Sequence, residues 1–155
     1  MAITIRPARL PEEAGKVRRL FRAYQGSLSI DLGFQDFEAE VAALPAAYAP
    51  PAGRLLLAML DGAAVGCIAL RQQDGETGEI KRLYVMPAGR GHGLGRRLVA
   101  ALVSEARAIG YQRLCLDTLP EMGHAQALYQ QMGFAPVAPY TFNPVPGARY
   151  LGVTL

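Results

Sequence analysis

Apolar residues run almost unbroken from Leu55 to Leu70, interrupted by Asp61-Gly62 and by Gly66. The stretch is too short and too broken to span a bilayer. Asp-Gly between two apolar runs suits a type I′ turn, whose central residues need positive φ, and predicts a hairpin with strands near 54–60 and 63–71. Another strand is expected over Glu79–Met86, apolar at Ile80, Leu83, Val85 and Met86 and stopped by Pro87. Helical spacing replaces alternation elsewhere. One helix is expected from Pro11 to Tyr24, and a second from Phe34 to Leu44 with Phe34, Phe37, Val41 and Leu44 on one face. A third runs from Gly93 to Ile109 on Leu94, Leu98, Leu102, Ala106 and Ile109, with Gly110 as its cap. Gln25–Gly33 reads as a loop, and the proline-rich Pro45–Gly53 as a break. A strand over Arg113–Thr118 follows. Then come a helix over Met122–Met132 closed by Gly133, a strand over Phe134–Val137, a proline-rich loop and a last strand over Ala148–Leu155. With a first strand in Met1–Pro7, the order is β-α-α-β-β-β-α-β-α-β-β. That predicts an α/β fold with a mixed sheet, three layers and a single domain over 1–155.

Composition agrees, since 155 residues with 51% hydrophobic content fill one substantial core and leave no second. The net charge of +3 is too small to imply a nucleic-acid or membrane partner. The arginines cluster at one turn without the interleaved aromatics of a stacking surface, which argues against nucleic acid. Cys67 and Cys115 lie far apart in apolar surroundings. They lack metal-ligand or C-x-x-C spacing, so buried, reduced thiols and no metal are expected. The first residues lack the pattern of a secretory signal, and a cytoplasmic protein is the expectation.

The chemistry concentrates at Arg90-Gly91-His92-Gly93-Leu94-Gly95-Arg96-Arg97, between a strand and a helix start. Glycines at alternate positions let successive N–H groups approach one anion, and the helix N-terminus adds partial positive charge. A pyrophosphate suits such a turn, with Arg90, Arg96 and Arg97 as charge-assisted donors. The P-loop and the dinucleotide fingerprint both fail, the latter because Arg96 stands where a glycine is needed. The plainer reading is a sharp helix entry that binds nothing.

Arg90-Gly91-His92-Gly93-Leu94-Gly95 resembles the Q/R-x-x-G-x-G/A signature of the GNAT acetyltransferase superfamily, and Leu83–Pro87 resembles that family's fourth strand. Ala125–Phe134 is similar to its later A-x-x-L-Y-x-x-x-G-F helix. The resemblance implies an acyl-CoA acyltransferase fold and an acetyl-CoA-dependent N-acetyltransferase, with attack of a primary amine directly on the thioester. It implies that backbone groups of Leu83, Tyr84 and Val85 pair with pantetheine at a splayed strand edge. Arg90, Gly91, His92, Gly93, Leu94, Gly95 and Arg96 then hold the pyrophosphate, and Tyr129 is the general acid. Tyr129 could instead only pack, with its hydroxyl on backbone. For the base, the family position is Glu79, which could equally be a solvated residue, and Asp117 is a second candidate. His92 is assigned to the turn and His124 to solvent. Met122 replaces a family asparagine, removing one polar contact to the cofactor.

The acceptor pocket is expected to be bordered by the 139–147 loop, through Tyr140 and Phe142, although these rings could merely pin the loop. Asp31, Asp36, Glu38 and Glu40 read as a solvated face. A small-molecule or peptide amine is the expected acceptor, without nucleic acid or membrane. Resemblance also makes a homodimer plausible. The contrasting class is an acyl-CoA-binding sensor with little or no transfer.

Overall fold

A computed structural model describes residues 2–155; Met1 and the side chains of Phe34 and Gln35 lie outside the description, and with them Phe34's place on an apolar helix face. The elements are β1 (Ile3–Pro7), α1 (Ala14–Gly26), α2 (Phe37–Ala42), β2 (Arg54–Leu60), β3 (Ala63–Gln72), β4 (Thr77–Val85), α3 (Leu94–Ile109), β5 (Arg113–Thr118), α4 (Gly123–Gln131), β6 (Ala135–Pro136) and β7 (Arg149–Thr154). Short 3-10 turns cover Leu32–Gln35, Ala46–Tyr48 and Pro87–Gly89. The order of helices and strands is the expected one. One seven-stranded sheet runs β1-β2-β3-β4-β5-β7-β6, antiparallel except where β4 meets β5.

Helices cover both faces. Leu56, Ile68 and Leu70 pack with Leu94, Leu98 and Leu102 of α3, while Leu57, Cys67 and Ala69 pack with Val17, Leu20 and Phe21 of α1. Burial on two sides explains why β2 and β3 read as continuous apolar runs rather than alternating ones. Between them Asp61 and Gly62 take φ of 50° and 85°, the pair of positive values a type I′ turn requires.

The helix expected from Phe34 to Leu44 is divided. Asp36, with φ 54°, separates the 3-10 turn at Leu32–Gln35 from α2, a reversal that neither glycine nor proline announces. The first helix starts at Ala14 rather than Pro11, β4 begins at Thr77 rather than Glu79, and β6 is only two residues long.

One irregularity shapes everything downstream. Cys67 pairs with Tyr84 but Ala69 with Lys81, so Arg82 and Leu83 together face Ile68 and form a β-bulge. Arg82 takes φ 60°, which a long side chain seldom adopts in a strand. Its guanidinium is held from several sides: Nε donates to Glu40 Oε2 at 2.9 Å and Nη2 to Glu40 Oε1 at 3.0 Å. The same group lies 5.8 Å from the Tyr24 ring centre and 5.3 Å from that of Phe37. Tyr48 Oη also donates to Glu40 Oε1, at 2.7 Å. Glu40 is therefore not part of a solvated face, as its helix position suggests; it ties α2 to the bulge. Removing one member of a buried pair strands the other charge. Glu40→Ala is expected to lower unfolding free energy by about 3 kcal/mol, read as a shift in the urea midpoint.

Candidate active site

The glycine turn follows β4 directly. Gly91 and Gly93 take φ of 87° and 67°, and no heavy atom lies within 4 Å of a Cβ built on either. Backbone conformation, not crowding, therefore calls for glycine at both positions. Gly93 is the residue before α3, and Arg97 N donates back to its carbonyl at 3.1 Å. The amides from Gly91 to Arg96 find no acceptor among the described residues. They form a run of donors at a helix N-terminus, the arrangement that binds anions. Arg90, Arg96 and Arg97 are exposed beside it. Arg96 Nη2 donates to Gln131 Oε1 at 2.6 Å, and Arg90 Nε to Val85 O at 3.3 Å.

The second feature is a gap in the sheet. β4 and β5 pair only from Thr77 to Glu79 against Arg113 to Cys115. Beyond that the bulge turns β4 away, so Tyr84 and Val85 keep their β3 partners while the edge of Leu83, Tyr84 and Val85 toward β5 has no ladder partner among the described residues. The opening is a cleft bounded by Tyr24, Ile80, Leu83, Leu116, Met122 and Tyr129 among others. Tyr129 is buried against Phe134, with ring centres 5.1 Å apart. None of the described residues hydrogen-bonds its hydroxyl, so the alternative in which that group is spent on backbone does not hold. Burial pushes the phenol above the ordinary tyrosine range and keeps it a proton donor. At Met122 the thioether accepts from Thr118 Oγ1 at 3.6 Å.

Lys81, Arg82 and Asp117 line both this cleft and a second cavity containing Glu79, Arg71 and Phe142. The two spaces share these three residues. Glu79 is 1% exposed, which removes its solvated reading. Its Oε1 accepts from Arg71 Nε at 2.7 Å and its Oε2 from Tyr140 Oη at 2.6 Å. Burial and the neighbouring Glu79 carboxylate raise the Tyr140 phenol well above its usual range. Tyr140 also meets the Tyr150 ring edge-on, at 5.6 Å between centres. The ring thus pins the loop while bonding the candidate base. Phe142, 83% exposed, stands at the cavity rim. Asp117 Oδ2 accepts from Asn143 Nδ2 at 2.9 Å. Burial lowers the pKa of Lys81, with Glu79 and Asp117 opposing that shift.

Both cysteines are free and buried. Burial pushes each thiol up to about 12, so neither is a ready nucleophile. His92 is partly buried within the turn, and His124 is exposed in the first turn of α4. Sequence reasoning missed Arg71, Lys81, Arg82, Glu40 and Asn143. One signal was available: Glu79, Lys81 and Arg82 are charges inside a strand whose neighbours are apolar, and such charges are buried only when paired.

The sequence profile of the acetyltransferase (GNAT) family matches residues 17–134. An uncharacterized N-acetyltransferase of Schizosaccharomyces pombe is 36% identical over 151 residues, which is 96% of this chain and 93% of that protein. Among solved structures, an acetyltransferase from Streptococcus agalactiae matches with a TM-score of 0.80 at 24% identity, over 99% of this chain and 98% of that one. A Salmonella typhimurium protein whose structure contains acetyl-CoA as its cofactor matches with a TM-score of 0.71 at 20% identity, over 99% and 94%. At those identities the two structures speak to the fold alone.

Proposed function

The chain belongs to the acetyltransferase (GNAT) family, and as an acyltransferase of that family we propose that it moves an acetyl group from acetyl-CoA to an amine by direct attack on the thioester. The observation that carries this reading is the cleft between β4 and β5, with the Tyr129 hydroxyl unspent beside it and a run of free amides where β4 leads into α3. That the structural neighbour from Salmonella typhimurium holds acetyl-CoA supports the choice of donor.

Each part has a task. The amides from Gly91 to Arg96, with the exposed arginines beside them, suit the doubly charged pyrophosphate. The open edge of β4 at Leu83, Tyr84 and Val85 offers backbone donors and acceptors to the amide-bearing pantetheine arm, and an N–H there can stabilise a developing oxyanion. Acetyl-CoA supplies an acetyl group on a thiol whose pKa of about 8.5 makes it a fair leaving group. Tyr129 donates its proton to the departing sulfur. Glu79 takes the proton of the attacking amine, directly or through water, which an amine with pKa of about 10.4 requires near neutrality. The ammonium gives one proton to water before attack; as the new N–C bond forms and the C–S bond breaks, the second nitrogen proton goes to Glu79 and the phenol proton to sulfur.

Calorimetric titration with acetyl-CoA should give saturable micromolar binding, and coupled thiol release with an amine panel should show turnover. Absence of acetyl-CoA binding by folded protein refutes this reading.

A further inference from the structure

The cavity around Glu79 carries six charges: Arg71, Lys81 and Arg82 against Glu40, Glu79 and Asp117. All three carboxylates are already engaged. Glu40 holds Arg82 and Tyr48, Glu79 holds Arg71 and Tyr140, and Asp117 holds Asn143. A purely cationic acceptor entering here meets as many positive as negative charges, and no carboxylate without a donor. Arg71 differs from its neighbours. Among the described residues only its Nε is committed, to Glu79 Oε1 at 2.7 Å, and its side chain is 39% exposed, so both terminal nitrogens remain available at the cavity. Two coplanar N–H groups of a guanidinium match a carboxylate bidentately. Lys81, buried in the same wall, adds positive charge. Phe142, 83% exposed at the rim, offers an apolar surface with nothing packed over it.

Building on the acetyltransferase reading, we propose that the acceptor is a small α-amino acid with an apolar side chain: its carboxylate lies on Arg71, its side chain against Phe142, and its amine points past Asp117 toward the cleft holding Tyr129. The orientation follows from the shared residues. Asp117 belongs to both cavities, whereas Arg71 and Phe142 belong to the outer one only. Carboxylate outward and amine inward is the pose that brings the nucleophile to the thioester.

Matched substrates test this with the intact protein. L-leucine against isoamylamine, L-phenylalanine against phenethylamine, and L-methionine against 3-(methylthio)propylamine each differ by the carboxylate alone. Thiol release followed across a pH series removes the difference in amine basicity. In at least one pair kcat/KM for the acid should exceed that for the amine by about thirty-fold, the worth of one charge-assisted pair. Arg71→Lys keeps a charge beside Glu79 but loses the fork, and should shrink that ratio about tenfold through KM of the acid. Amines equal to or better than their acids in all pairs, silence of all three acids, or a ratio unmoved by Arg71→Lys overturns the assignment. Acetyl-CoA titration on the same sample separates the two levels: binding with silent acids removes only the acceptor class, and no binding removes the transferase reading together with it.

Discussion

Tyr129→Phe is expected to lower kcat about 100-fold while leaving the acetyl-CoA dissociation constant within about threefold. The ring's packing is kept, because its contact with Phe134 involves no hydroxyl. What is lost is one proton donor at the departing sulfur, and a positioned general acid contributes about 100-fold or more. The pH dependence distinguishes this role from a packing role. Desolvation raises the Tyr129 pKa, so the phenol keeps its proton as the medium becomes alkaline. In the wild type kcat should therefore rise as the acceptor amine loses its proton and then level off, with no falling limb near the ordinary tyrosine pKa of about 10. In the variant the same rise should persist at a lower plateau. Turnover equal to wild type would remove Tyr129 as the general acid and leave it a packing role, whereas the sensor reading, in which acyl-CoA is bound and not transferred, requires the wild type itself to bind acetyl-CoA without turnover.

Gly93→Asp should abolish measurable acetyl-CoA binding, a loss of about 100-fold or more in affinity, without unfolding the chain. No atom lies within 4 Å of the added Cβ, so the cost is conformational, at φ 67°. Aspartate tolerates that region better than most residues, which limits the penalty to about 1 kcal/mol. The consequence for the turn is much larger. A carboxylate at the residue before α3 can itself accept from the amides that follow, and it repels a pyrophosphate approaching the same donors. Gly93→Ala carries the backbone cost without the charge and should lose only about tenfold. Titrating both variants, with thermal unfolding alongside, separates occupation of the anion site from collapse of the turn. Equal losses in the two would mean that backbone strain alone disrupts the site.

Much of this was legible from local pattern. The Asp61-Gly62 hairpin, the glycine caps at Gly110 and Gly133, and the order of elements depend on residues near one another in the chain, where steric preference and hydrophobic period act directly. The glycine turn was legible for the same reason. Helix α2 was not, because Asp36 reverses the backbone with a residue that ordinarily continues or caps a helix. Glu40 was misread with it, since helical spacing alone puts it among solvated acids.

The sequence by itself determined most of the secondary elements, the Asp61-Gly62 hairpin and the glycine turn before α3, because each is set by short-range geometry and by the burial of apolar surface. Only the tertiary structure decided the charged cavity around Glu79. Glu40 reaches Arg82 across 42 positions, Tyr140 reaches Glu79 across 61, and Asn143 reaches Asp117 across 26. Groups so far apart in the chain meet only where the β4 bulge opens the sheet and the late loop lies against it. No one-dimensional period encodes that meeting, because what fixes it is the need of each buried charge for a partner in a medium that excludes water.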